Sequence, residues 1–187
     1  ATHANISLRD DSEFIKVSKR VFAFSNFIAG SCTQNPAMLA DLVQSGDLYG
    51  QFPADHYHHE LKKSLSSLYE REQEEPLYSI FRRFRLREII RIAWRDLAGW
   101  ADLSQTMADL SALADACIHQ ALLLLYEWAC HKYGIPTGYD GSPQSLVVLG
   151  MGKLGGGELN FSSDVDLIFA YPEPGQTRGV SEPISNE

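Results

Sequence analysis

Leu146-Val-Val-Leu-Gly-Met-Gly-Lys-Leu-Gly-Gly-Gly-Glu-Leu-Asn-Phe-Ser-Ser-Asp-Val-Asp-Leu-Ile-Phe169 is the stretch on which the reading of this 187-residue chain depends. Leu146 to Leu149 are apolar and rich in β-branching, which predicts a short buried strand. A second strand is expected over 165–171. Between them lies a glycine-rich turn that leads into Asp164-Val-Asp166. Two residues apart where a strand starts, both carboxylates project to one face. They repel each other unless a divalent cation sits between them. Mg2+, an oxygen-seeking ion that also binds substrate phosphates, suits that pair. The glycines upstream let backbone N–H groups approach a phosphate closely. Asp164 and Asp166 are therefore the candidate catalytic and metal-ligating residues. Gly152, Lys153, Gly155, Gly156, Gly157 and Ser163 are the candidate nucleotide- and phosphate-binding residues, with Lys153 free either to meet a phosphate or to point into water. A lone Asp-x-Asp is an ordinary solvent-facing strand end; strand, glycine turn and acidic pair in that order favour the metal site.

Two other glycine-loop mechanisms fit less well. A P-loop needs a glycine five residues before the one that flanks its lysine, and a Ser or Thr after that lysine. Val147 and Leu154 stand in those places. Gly150-Met-Gly152-Lys-Leu-Gly155 spells a dinucleotide fingerprint, but that motif needs a helix to begin inside it and an acid about 20 residues on. Three successive glycines oppose a helix by about 1 kcal/mol each, and Asp164 and Asp166 come at roughly half the required distance.

The order of strand, glycine turn and Asp-x-Asp resembles the nucleotidyltransferase superfamily of the DNA polymerase beta type, with Gly152-Lys153 where that superfamily usually carries Gly-Ser. The longer string from Gly150 to Ala170 is similar to the glutamine synthetase adenylyltransferase/adenylyl-removing family. Its Asn160-Phe-Ser-Ser163 resembles the N-terminal, adenylyl-removing half, and Phe84-Arg-Leu-Arg-Glu-Ile-Ile-Arg-Ile-Ala-Trp-Arg-Asp-Leu97 extends the likeness into the helical part. The resemblance implies phosphorolysis of adenylyl-tyrosine on glutamine synthetase, with phosphate consumed and ADP released. It implies Mg2+ as cofactor. The implied partners are adenylylated glutamine synthetase, the nitrogen-signalling PII protein, adenine nucleotide and phosphate, with no nucleic acid and no membrane. It also implies a third carboxylate on a later strand, beyond Glu187, so the chain is expected to be inactive alone. Two alternatives stay open: another nucleotidyltransferase of the same fold, and a catalytically incomplete regulatory or protein-binding fragment.

Upstream of the strand the chain reads as helices. Apolar residues from Phe14 to Phe24 recur at helical spacing and predict a helix over 12–27. Asn35-Pro36 signals a helix start and Gly46 its stop. Leu61, Leu65 and Leu68 predict a helix over 55–70. Pro76 opens a long helix that Gly99 ends, and Ser104 caps another that Gly134 stops. Gly134 to Pro143 is dense in turn formers and reads as a boundary loop. The tail after Pro172 is polar and aperiodic. The expectation is an α+β chain: a helical region over 1–137, then over 138–187 the opening strands of an incomplete nucleotidyltransferase mixed sheet.

Composition agrees with a globular, cytoplasmic chain. Hydrophobic residues make up 44% and charged residues 21%, which excludes an intrinsically disordered polymer. Sixteen basic side chains against 24 acidic ones give a net charge of −8, with no general affinity for nucleic acid. The longest apolar run, from Ala121, is far short of the ~20 residues of a membrane span. The N-terminus lacks both Met and the features of a signal peptide, so the chain is expected to be processed or cut. Cys32, Cys117 and Cys130 show no metal spacing. On one helix, Cys117 and Cys130 lie about 20 Å apart, so reduced thiols are expected.

Three further features carry competing readings. Arg82, Arg83, Arg85, Arg87, Arg91 and Arg95 crowd one helix that holds a single acid, Glu88, within the same span. Like charges at four-residue steps destabilise a helix unless something outside neutralises them. Internal carboxylates are the favoured neutraliser, ahead of phosphate or an acidic partner. His56, His58, His59 and Glu60 could ligate a metal but lack a fourth ligand, and a solvated helix start is favoured. Ala121 to Leu125, with Trp128, is expected in the core.

Overall fold

The computed structural model describes residues 11–69 and 72–185, apart from the side chains of 11 and 12. The expected end of the 55–70 helix, the first ten residues and the last two lie outside the described residues. Six helices come first: α1 (Asp11–Phe24), α2 (Asn26–Gln34), α3 (Pro36–Gln44), α4 (His56–Leu65), α5 (Glu74–Ala98) and α6 (Leu103–Tyr133).

Side-chain chemistry decides several boundaries. The helix expected over 12–27 divides at Ser25, whose extended backbone and hydroxyl, accepting from Ile28 N at 3.2 Å, make it the cap of α2. Asn35 does not cap α3; its amide donates back to the Ser31 carbonyl at 3.2 Å, and α3 opens on Pro36 alone. The cap of α6 is Asp102 rather than Ser104. Asp102 accepts from Gln105 N at 2.8 Å while Gln105 Oε1 accepts from Asp102 N at 3.1 Å, a reciprocal box that satisfies two orphan donors. Gly99, at φ +75°, ends α5 in the left-handed conformation that suits glycine.

Helix α5 is the central element, and two hydrophobic clusters meet on it. Phe84 and Ile92 join Tyr57, Leu61 and Leu65 of α4 and Leu110, Leu113, Leu124 and Trp128 of α6. Ile90, Ala93 and Trp94 join Val21, Ile28, Cys32, Leu42 and Leu48 on the other side. Six consecutive residues, Ile90 to Arg95, are buried, so this turn of helix faces protein all round. Trp94 stacks on Phe14 at 5.7 Å and meets the edge of Phe22 at 5.5 Å.

Helix α6 is long and apolar enough, by length and composition, to cross a bilayer. Its packing against α4 and α5 accounts for part of that composition, since core helices are apolar too. The expected core run is only partly core: Leu124 and Trp128 are buried, while Leu123 and Leu125 are exposed. One helical turn cannot hide every side chain of a continuous apolar run.

Past α6 come β1 (Ile135–Thr137), β2 (Val147–Gly150), the single turn α7 (Gly152–Gly155), β3 (Leu167–Ala170) and β4 (Gln176–Arg178). Two antiparallel pairs result, β1 with β4 and β2 with β3. The molecule is therefore α+β, with helices followed by small sheets. β1 lies inside the turn-rich stretch and β4 inside the aperiodic tail. The buried-strand reading of β2 is corrected. Val147 and Leu149 are 46% and 48% exposed, and Ile168, paired with Leu149, is 47% exposed, because this two-stranded ribbon has only one side near the helices.

Candidate functional site: a glycine turn and an acidic pair

The register of β2 and β3 sets the site. Gly150 pairs with Leu167, and the ladder runs one bond further, Met151 N donating to the Asp166 carbonyl at 2.9 Å. Side chains alternate between faces of such a ribbon, and paired residues share a face. Val148, Gly150 and Leu167 line a cleft of about 560 Å3 that they share with His58, Ser111 and Asp115 of the helices. Val147, Leu149 and Ile168 belong to the opposite, open face. Asp166, bonded to Met151 at the end of the ladder, falls on that open face, and Asp164 lies two residues further, outside the strand. Both are exposed, and among the described residues neither carboxylate makes a hydrogen bond or an ion pair.

The turn between the strands is built by close approach. A Cβ on Gly155 would sit 2.5 Å from the Gly150 carbonyl oxygen, which only glycine avoids. The amides of Gly155, Gly156 and Gly157 donate to Met151, Gly152 and Leu154 carbonyls at 3.0–3.2 Å. Those of Gly152, Lys153 and Leu154 lie in a first helical turn, where no intrahelical acceptor exists. Among the described residues no backbone bond from these three N–H groups is seen outside the helix.

A second set of residues, which the sequence reading did not single out, seats the loop that follows. Leu159 is buried, and its N–H donates to Ser111 Oγ on α6 at 3.0 Å. Phe161 packs against both hydrophobic clusters. Asn160 Oδ1 accepts from Lys153 Nζ at 3.2 Å and from Ser163 Oγ, so Lys153 and Ser163 converge on one side-chain oxygen. Ser162 takes a left-handed backbone, φ +61°, uncommon for a residue with a Cβ. Two apolar side chains, Leu159 and Phe161, inside a glycine- and serine-rich loop were the available signal.

The donor set fits Mg2+. Two exposed carboxylates without a protein cation match an ion that takes one or two carboxylates and keeps several waters. Among the described residues no group of three His, Cys, Asp or Glu side chains converges on a common point, and the histidines of α4 are otherwise engaged. His58 Nε2 lies 3.0 Å from Asp115 Oδ2, His59 Nδ1 2.9 Å from the Asp55 carbonyl, and His56 stacks on Phe52 at 3.8 Å.

The arginines of α5 divide. Arg87 holds Asp41 at 3.0 Å, Asp47 at 2.6 Å and Glu88 at 2.7 Å. Burial opposes its charge, yet the hydrogen bonds to Asp47 and its neighbours raise the net proton affinity. Arg91, fully buried, gives Nε to Glu88 at 2.7 Å, Nη1 to the Gly50 carbonyl at 3.0 Å and Nη2 to Tyr57 Oη, with Asp109 at 3.6 Å. Burial pushes the Tyr57 phenol above its ordinary range, so it is a neutral partner. Arg95 donates to the Tyr49 carbonyl at 2.7 Å. Arg82, Arg83 and Arg85 are exposed.

A glycine turn that presents backbone donors beside an unpartnered carboxylate pair defines a candidate site for a metal-bound phosphoryl group. The chain belongs to the glutamate-ammonia ligase adenylyltransferase family, whose model matches residues 15–187. It is 48% identical over 168 residues to the bifunctional glutamine synthetase adenylyltransferase/adenylyl-removing enzyme of Nitrosococcus oceani, an alignment covering 89% of this chain and 17% of that protein. The enzymes of the same name from Pseudomonas aeruginosa and Shewanella loihica are 46% and 43% identical, over 90% and 98% of the chain and 17% and 19% of their own lengths. The chain thus spans less than a fifth of these relatives.

Proposed function

We propose that this chain contributes the adenylyl-removing site of a bifunctional glutamine synthetase adenylyltransferase. The observation that carries the reading is the state of Asp164 and Asp166: two exposed carboxylates two residues apart, unpartnered among the described residues, at the end of the ladder that holds the glycine turn. Like charges so placed repel each other, and among the described residues no cation relieves that repulsion. Family membership and the names of the relatives support the choice of substrate.

In the proposed reaction an oxygen of inorganic phosphate attacks the phosphorus of the adenylyl group on a tyrosine of glutamine synthetase. The bond from phosphorus to the tyrosine oxygen breaks, that oxygen takes up a proton, and ADP leaves. Asp164 and Asp166 would hold Mg2+, which supplies charge neutralisation at the attacked phosphorus. The N–H groups of Gly152, Lys153 and Leu154 orient a phosphate oxygen, as backbone donors do in anion-binding concavities. Asn160 holds Lys153 and Ser163 at the rim, and Leu159 and Phe161 fix the loop against the helices so that the carboxylates are positioned before substrate arrives.

The test uses the intact enzyme, adenylylated glutamine synthetase, Mg2+ and labelled phosphate. Label is expected in the β-phosphate of ADP. Label-free AMP as product would indicate hydrolysis and overturn the phosphorolytic reading. ADP release that survives Asp164→Ala would remove Asp164 from the site.

A further inference from the structure

Three arginines of α5 find no ion-pair partner among the described residues. Arg82, Arg83 and Arg85 are exposed, and none makes an ion pair among the described residues, although the chain carries 24 acidic side chains against 16 basic ones. Arg82 and Arg83 line an open cleft of about 720 Å3 together with Tyr78, Pro36 and Met38. Tyr78 is 53% exposed. Leu86 lines this cleft and also a neighbouring apolar groove, whose far wall is Phe161 and Ser162. A continuous surface therefore leads from the arginine cleft, past Arg85 and Leu86, to the loop two residues before Asp164.

We propose that this cleft docks an acidic segment of the protein substrate, one that carries an apolar side chain between its carboxylates. The proposal rests on the functional reading above. Guanidinium forks match carboxylates in two-point geometry, while Tyr78, Pro36 and Met38 offer an apolar floor, with Tyr and Arg the residue types that most often dominate protein interfaces. A single exposed ion pair is weak, so one small anion gains little here. A segment that engages Arg82, Arg83 and the floor together gains from each. Glu75 stands in the same wall, so the apolar contact with the floor must add to the ion pairs for any anion to bind well. Repulsion among the exposed arginines, which pair with no acid among the described residues, is relieved on docking.

The experiment compares intact wild-type enzyme with an R82E/R83E variant, measuring ADP release from adenylylated glutamine synthetase. The expected result is a KM for the protein substrate raised about ten-fold or more, with kcat and the KM for phosphate within two-fold. The salt dependence of that KM should flatten, since screened surface charge causes it. R82K/R83K keeps the charge without the fork and should give a smaller rise. An unchanged KM for the protein substrate overturns the proposal, and so does a rise confined to the KM for phosphate, which would make the arginines an anion subsite. Direct titration of wild type and R82E/R83E with adenylylated glutamine synthetase separates the two readings. If no ADP forms but the variant binds more weakly, docking stands and the assigned reaction falls.

Discussion

The centre of α5 and the turn after β2 treat charge in opposite ways. Around Arg91 the carboxylates are spent inside the protein: Glu88 faces two arginines, Asp41, Asp47 and Asp109 close the set, and Arg95 meets the Tyr49 carbonyl. At the turn, Asp164 and Asp166 stand in solvent, unpartnered among the described residues. The first arrangement stabilises a fold that would otherwise strand ions in a low-dielectric core. The second leaves charge available for a ligand to complete. Which kind a charged residue belongs to is read from its partners, since both regions are equally conspicuous in the sequence.

The largest expected effect is on catalysis. In the intact enzyme, Asp164→Ala combined with Asp166→Ala should lower ADP release by at least about 10²–10³-fold, while unfolding free energy stays within about 0.5 kcal/mol. Activity assays and denaturant titration check both halves. A large loss of stability would break the contrast, because it would make the pair structural. The reverse outcome is expected at the core: Arg91→Met should cost about 3–5 kcal/mol by leaving Glu88 buried beside fewer partners. Adding Glu88→Leu should recover part of that loss, and a double-mutant cycle measures the coupling.

A smaller effect belongs to the turn itself. Gly155→Ala places a methyl against the Gly150 carbonyl and should cost about 1–3 kcal/mol, read as a lower Tm together with a lower kcat. The smallest effect concerns Cys117, whose thiol burial pushes up to about 11 against the opposing influence of Arg85. The unfolded thiol, near 9.0, ionises first. The stabilisation is fully present below pH 9 and is lost as pH rises through 11, at no more than about 1.4 kcal/mol per pH unit. Denaturation midpoints should fall with rising pH across that range in wild type and fall less in Cys117→Ala.

The helices and the two strands that flank the glycine turn were legible because their signals are local. Glycines end α5 and α6, apolar residues recur at helical steps, and Asp-x-Asp lies next to a strand. The break at Ser25 was hidden because a serine inside a helical pattern reads the same whether its hydroxyl faces water or caps the next helix. β1 and β4 escaped because three residues carry no period, and their partners lie some forty positions apart. The internal neutralisation of Arg87 was correctly favoured, but its partners Asp41 and Asp47 sit 46 and 40 residues away, a distance over which sequence pattern carries no pairing information. The docked loop was missed for the same reason: Leu159 finds Ser111 48 residues back along the chain.

Phe161 has a consequence for how this protein can be divided. By position it belongs to the strand region, yet its ring is packed with both helical clusters. A cut after Thr137 would empty a socket in the helical part and expose an aromatic ring on the other piece. The loop is therefore not a portable cassette: grafted onto another scaffold it would need the same paired seat to keep its carboxylates in place. Recombination, natural or engineered, that exchanges this loop must move its helical seat with it.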